Sequence, residues 1–395
     1  MGCVLWNFPG NGTPIVFGKS RLRKAISALD HRPVERVSCT SMRNRYRDGN
    51  GGAEGQNGPP TIRDIANAAG VSIATVSRVL NGRPDVSPKT REAVLRVVRE
   101  QGFSMNRSAR ALSGGRTGLI GITLPMVHVE YFSSILWGAS EALYEHDMNV
   151  VLCPTMHERA REVTLLDRLL QGTTDGALLL LTRESNDALT ALERQGYPFV
   201  VLDPRQPVDE RTPVVSAAHL AGAKAATEHL LSLGHRRIGA IMGAHGWVAT
   251  VDRLAGYRVS LAAAGLSADP ELIAKGNFTN ESGYAGASEL LSLRKPPTAI
   301  FAFNDEMAVG AMRAAEERGL EIPRDLSIVG FDDVEKTRIV TPALTTVRQP
   351  LAEMGRMAVS LLTRLLERQP IEAMRVELAT KLIVRESTAP PSTAT

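Results

Sequence analysis

Arg78 sits in a stretch whose apolar residues recur every three or four positions, so that Val76, Val79 and Leu80 share one helix face and Ile73, Ala74, Ser77 and Arg78 are left on the other. A guanidinium can grip guanine O6 and N7 through two parallel N–H bonds, whereas Ile73 and Ala74 offer only apolar contact or shape. Ser72, Thr75, Ser77 and Asn81 are of the type that holds phosphate oxygens. A second set of polar residues falls at the ends of apolar runs. Asp203 follows Phe199–Leu202, Asn304 and Asp305 follow Thr298–Phe303, Asp332 follows Ser327–Gly330, and Arg253 opens a helix after the loop 243–251. Carboxylates, an amide and a guanidinium give the directional hydrogen bonds that a sugar's hydroxyls require. Asp305 reads as a helix cap.

The elements that position Arg78 are short helices. Thr61 caps a first helix carrying Ile62, Ile65, Ala66 and Ala69 on one side, with Asp64 completing a variant capping box, and Gly70 ends it. Ser72 caps the second helix. A third begins at Ser87 with Pro88 in its first turn, carries Val94, Leu95, Val97 and Val98 inward, and stops at Gly102. Two such helices joined by a tight turn make a helix-turn-helix, and the third closes a minimal core over 59–103. A short helical segment, 108–113, follows before Gly114 and Gly115. Residues 61–116 carry ten Lys+Arg against four Asp+Glu, whereas 117–395 carry 27 against 34, so the net +4 conceals a basic head on an acidic body.

From Arg116 the pattern alternates between buried strands and amphipathic helices. Strands are predicted at 118–124, 149–153, 176–181, 199–203, 237–242, 298–303 and 326–330, and helices include 133–146 and 158–171. Such alternation builds parallel sheets covered on both faces, an α/β class with ligands beyond the carboxyl ends of the strands. No apolar run approaches a membrane span of about 18 residues. Cys3, Cys39 and Cys153 have neither disulfide nor metal spacing, so no zinc site or other metal is implied and a reducing cytoplasm is expected. The glycine-rich 49–55 lacks a preceding strand, no HExxH is present, and Asp332-Asp333 is answered by no second carboxylate motif; no cofactor and no enzyme activity are expected. His235 reads as part of a helix end and turn. Residues 1–58 show no sustained period, and 43–60 are polar and glycine-rich. They read as disordered, or as an upstream extension with Met42 an alternative start, rather than as an added DNA-binding arm. Residues 387–395, with two prolines and no heptad, read as a disordered tail without a tetramerising coiled coil.

The run AGVSIATVSRVLNG, with VSPKTREAV and ARAL after it, resembles the headpiece of the lactose-repressor (LacI/GalR) family of bacterial transcription regulators. GHRRIG at 234–239, RLAGY at 253–257, FNDEMAVGAMRAAEERG from Phe303, DLSIVGFDD from Asp325 and TPALTTVRQP from Thr341 extend the resemblance to about Arg385. It implies a two-lobed, periplasmic-binding-protein-like core over 116–386, lobe 1 being about 117–215 and 350–376 and lobe 2 about 216–348 and 377–386. It also implies a hinge helix in 104–115 whose Leu112 wedges into the minor groove, and makes Ile73, Ala74 and Arg78 the positions of operator preference. Asp203, Arg253, Asn304, Asp332 and Gln349 stand at positions similar to the family's effector-binding residues; Phe278 resembles its ligand-facing aromatic, and Tyr131 and Phe132 its lobe 1 wall. The partners so implied are a palindromic double-stranded operator, a small effector such as a sugar, and a second copy of the chain. The function implied is repression of a carbohydrate-utilisation operon; a sugar-binding receptor or a carbohydrate-acting α/β enzyme is the alternative, disfavoured by the fused headpiece and the lack of an export signal.

Overall fold

The structure, a computed structural model, describes residues 60–80, 83–103, 116–127, 129–156, 158–168, 173–182 and 186–392. The expectations for 1–58, for Asn81 and for the 104–115 hinge with Leu112 lie outside these residues. The chain divides into two units, one ending at Phe103 and one beginning at Ser104.

In the first unit, α1 (Ile62–Ala69), α2 (Ile73–Leu80) and α3 (Pro88–Glu100) follow the caps written in the sequence. The Thr61 N–H donates to Asp64 Oδ2 at 2.7 Å and the Asp64 N–H donates back to Thr61 Oγ1 at 3.4 Å. Gly70 ends α1 at φ +64°, a conformation that a Cβ would strain. Ser72 and Ser87 accept from the third residue of the turns they open, at 3.1 and 3.2 Å. Ile65, Ala66, Val76, Val79, Val94 and Val97 form the buried core, with Leu80, Leu95, Val98 and Phe103 partly buried around it.

The second unit holds β1 (Leu119–Leu124), α4 (Glu130–Glu145), β2 (Asn149–Pro154), α5 (Arg159–Arg168), β3 (Gly176–Leu180), α6 (Asn186–Arg194), β4 (Phe199–Leu202) and β5 (Val214–Ala217). It continues with α7 (His219–Ser232), β6 (Ile238–Ile241), α8 (Val248–Ala263), β7 (Ile273–Ala274), α9 (Asn280–Leu291), β8 (Ala299–Ala302), α10 (Asp305–Glu316) and β9 (Ser327–Asp332). The last elements are α11 (Lys336–Ile339), β10 (Thr345–Arg348), α12 (Leu351–Leu366), β11 (Arg375–Leu378) and β12 (Lys381–Ile383). Two six-stranded sheets result, in the orders β11-β5-β4-β3-β1-β2 and β12-β10-β9-β8-β6-β7. All pairs are parallel except β10 with β12. Alternate strand residues feed opposite faces of the first sheet: Leu178, Leu180, Val200 and Leu202 pack on α4 and α12, while Ala177, Leu179, Phe199 and Val201 pack with Leu189 and Leu192 of α6. A Cβ on Gly138 would lie 1.9 Å from Ala352 O, so this glycine allows α4 and α12 to meet backbone to backbone.

The two-lobed parallel α/β body thus stands as the alternation implied, with three displacements. The strands β5 and β11 belong wholly to the first sheet, so the chain crosses at Ala218 and at 379–380 rather than at 216 and 377. α4 begins at Glu130, a turn earlier than Ser133. Residues 387–392 are ordered against lobe 2, contrary to a disordered tail. Ser387 is fully buried; its carbonyl accepts from Ile328 N at 2.8 Å and its hydroxyl from Thr345 N at 2.8 Å. His235 bonds Ala389 O at 2.9 Å and Thr298 Oγ1 at 2.8 Å, and Ala389 N donates to Ser327 Oγ at 3.0 Å. Small hydroxyl residues satisfy the free backbone groups at the ends of β9 and β10, a pairing that no apolar period announces.

Candidate nucleic-acid interface and ligand pocket

On α2, Val76 and Val79 are buried and Ile73, Ala74 and Arg78 are exposed, with Ser77 half-buried, so the side predicted to read bases faces away from the core. Ser72 and Thr75 bond each other at 2.9 Å while Ser72 caps the helix, which fixes the first turn of α2. The Arg78 guanidinium lies 3.6 Å from Asp85 Oδ2, with both side chains more than half exposed. An exposed pair of this kind is worth at most about 1 kcal/mol and yields readily to a charged or bidentate partner.

The pocket in the second unit lies at the carboxyl ends of strands from both sheets. Tyr131, Phe132, Asp203, Arg253, Phe278, Asn304 and Asp332 all line it; Gln349 does not, and stands buried behind Asp332. Among the described residues, eight non-glycine positions have positive φ, and Leu181, Asp203, Phe278 and Asp332 are pocket residues among them. Left-handed backbone at three strand ends turns the chain sharply and sends the side chains into the cleft, at a conformational cost the surrounding packing must hold.

The polar groups form one chain of bonds. Asp203 accepts from Tyr131 OH and from His219 Nε2, both at 2.7 Å. Arg253 Nη2 lies 3.2 Å from His219 Nδ1, and because a guanidinium only donates, Nδ1 must accept and the imidazole proton must sit on Nε2, facing Asp203. Arg253 also donates to Phe303 O and lies 3.8 Å from Asp332 Oδ1, which accepts from Gln349 Nε2 at 2.6 Å. Burial opposes ionisation of Asp203, but His219, the Tyr131 hydroxyl and Arg253 outweigh it and hold the carboxyl below its ordinary range. Asp332 goes the other way: burial, with the carboxylates of Asp305 and Asp203, raises it well above that range despite Arg253. Burial likewise pushes Asp305 up to about 7, against hydrogen bonds from Thr346 and the Val334 amide. Burial raises the Tyr131 phenol far up, with Asp203 adding to it.

Some roles differ from the sequence reading. Asn304, not Asp305, caps α10: its Oδ1 accepts from Met307 N at 2.9 Å, and its Nδ2 donates to Phe278 O at 3.1 Å. Asp305, one residue on, instead ties β10 to the segment between β9 and α11 through Thr346 and Val334. Arg253 lies in the second turn of α8, not at its start. Sequence reasoning missed His219, which opens the helix after the first crossover, and Trp247, which precedes α8. The Trp247 and Phe278 rings lie 5.3 Å apart at 39°, and Tyr131 and Phe132 meet edge to face at 5.3 Å. Gly243 carries no side chain because a Cβ there would lie 2.0 Å from the Phe278 ring. Its only signal in the sequence is the glycine pair of the GAHGW loop after a strand.

The pocket therefore opposes a hydrogen-bonding base of Asp203, Arg253, Asn304 and Asp332, backed by His219, to aromatic and apolar walls. The described residues contain no cluster of three metal-ligating groups. Among the described residues no helix is long and apolar enough to cross a membrane.

Comparison with known proteins agrees with both units. Residues 61–106 match the model of bacterial regulatory proteins of the lacI family, and 227–388 match the periplasmic binding protein-like domain. The HTH-type transcriptional regulator DegA of Bacillus subtilis is 36% identical over 339 residues, covering 84% of this chain and 99% of DegA. The transcriptional repressor CytR of Escherichia coli is 35% identical over 85% of this chain and 98% of CytR. Among solved structures, the lac repressor dimer bound to operator and the anti-inducer ONPF aligns with a TM-score of 0.75 at 30% identity, covering 84% of this chain and 100% of that one. The transcriptional regulator CelR in complex with cellobiose aligns with a TM-score of 0.65 at 35% identity, covering 83% and 99%. A reading helix on a three-helix head, a two-lobed body with a strand-end pocket, and full-length relatives that are regulators throughout together place this chain in the LacI family of bacterial helix-turn-helix transcriptional regulators.

Proposed function

We propose that the protein is a cytoplasmic, homodimeric repressor of a carbohydrate-utilisation operon that releases its operator when a sugar occupies the pocket, and that it catalyses no reaction. The observation that carries the sugar reading is the pocket's composition. A row of buried hydrogen-bonding groups, Asp203, Arg253, Asn304 and Asp332, suits hydroxyls, while the Trp247 and Phe278 rings suit the C–H face of a pyranose. The sugar complex of the related CelR supports the same class of ligand. On the DNA side, Arg78 makes the guanine contact, Ile73 and Ala74 give apolar contact, Ser72, Thr75, Ser77 and Asn81 position phosphates, and Leu112 of a hinge in 104–115 wedges the minor groove. Two headpieces match a two-fold symmetric operator. Effector and operator are linked, so each weakens the other by the same coupling free energy.

Calorimetric titration of the whole protein with a panel of mono- and disaccharides, with nucleosides as the contrasting class, tests the ligand. One sugar class is expected to bind, and Asp332→Asn to weaken it. Binding of a nucleoside alone would overturn the sugar reading and leave the DNA reading intact.

A further inference from the structure

Arg205 lies in the loop between β4 and β5, in lobe 1, and Trp247 caps α8, in lobe 2. No crossover segment joins these two loops, yet they meet twice. The Arg205 guanidinium carbon stands 4.4 Å above the Trp247 ring, and the Val248 N–H donates to Arg205 O at 3.0 Å. Arg205 is only 3% exposed, which places the cation on the indole with little water to screen it, the condition under which such contacts are strongest. The same indole lines the pocket and lies against Phe278. One ring therefore touches both the ligand space and the opposite lobe.

We propose that Arg205 and Trp247 form a latch between the lobes: the guanidinium–indole contact and the Val248–Arg205 bond hold the lobe angle seen here, and a ligand that displaces or reinforces Trp247 changes that angle through Arg205. Arg205 is a positioning residue, absent from the pocket lining. Trp247 is the part that senses. Lobe opening separates the two loops, so it must break a desolvated cation–indole contact and a backbone bond together. The latch does not depend on which effector the pocket takes.

The test needs no effector. In the full chain with Trp6 and Trp137 replaced by Phe, Trp247 is the only indole left of the three. R205M keeps the length of the side chain and removes its charge and planar face. It is expected to red-shift Trp247 emission, to raise its quenching by acrylamide, and to speed hydrogen exchange at 247–251 and 203–213 by about thirtyfold, as loss of a contact at the strong end of the range implies. Exchange in β4 and β6 is expected to stay at the wild-type rate. R205K, which keeps the charge without the planar stack, is expected to fall between, and gives the same reading if R205M does not fold. Unchanged exchange at 247–251, or a loss of protection spread evenly through β4 and β6, would overturn the latch. Neither result would bear on whether a sugar binds.

Discussion

At the scale of single residues, the pocket's charges are not interchangeable. Asp332 is buried and its carboxyl is raised well above the ordinary range, so Asp332→Asn, whose Oδ1 can still accept from Gln349 Nε2, is expected to change thermal stability at pH 7 by less than about 1 kcal/mol while lowering effector affinity, a difference that melting and calorimetry on the same preparation separate. Arg253 is different: it is 3% exposed and its loss would take the nearby cation from the buried Asp203 carboxylate and the donor from Phe303 O, so Arg253→Ala is expected to destabilise the body by about 3–5 kcal/mol. Urea titration checks this. On the head, Arg78→Ala is expected to lower specific operator affinity by about 1–3 kcal/mol, with effector binding unchanged. Equal discrimination by the variant and the parent at fixed salt would remove Arg78 from the reading set. Asp203, Asn304 and Asp332 were legible because each ends an apolar run, and in parallel sheets such ends meet. His219 and Trp247 were not, because neither follows a strand directly; their place depends on where the chain changes lobes and on a ring stacking over an arginine 42 positions away in sequence.

At the scale of elements, the caps and strand cores were written locally and the tail was not. Thr61, Ser72 and Ser87 begin their helices because their hydroxyls reach amides three residues on, an interaction that sequence shows directly. The segment 387–392 has no period to read; its order comes from β9, β10 and the His235 turn. Burial lowers the affinity of His235 for a proton, and burial with the nearby His235 does the same for His229, which bonds Thr388 Oγ1 at 3.0 Å. The unfolded histidines then bind protons that the folded ones do not. Their contribution is complete above the unfolded value near 6.5 and is lost progressively as pH falls below it. Thermal melts between pH 7 and pH 5 are expected to show a steeper fall for the parent than for His235→Gln; parallel curves would mean that the tail contact is indifferent to the histidine's charge. Asp305, raised to about 7 by burial, acts in the opposite sense, favouring the fold as pH falls from 7 towards 4, so the comparison must be made between the two proteins and not along one curve.

At the scale of the whole molecule, a head with a few base contacts needs a second head for tight specific binding, and the body offers surfaces for pairing. Trp137 and Tyr144, seven residues apart on α4, are 66% and 83% exposed, and Val251 and Val259 on α8 are about half exposed. Isolated apolar residues are normal on a surface, but same-face pairs this large suit a second copy. Light scattering of a chain beginning at Pro59 is expected to give twice the chain mass, which would place the pairing surface outside 1–58. At this scale the expected property is a linkage, within one protein, of operator reading to pocket occupancy. Its most direct measurement is the affinity of the full-length protein for a duplex selected from a random library, read by fluorescence anisotropy at fixed salt with and without the sugar found by calorimetry. The expected result is a palindromic site bound in the nanomolar range, roughly 10⁻⁸ M or tighter, and weakened at least about fivefold by the sugar. An operator affinity that the bound sugar leaves unchanged would contradict it.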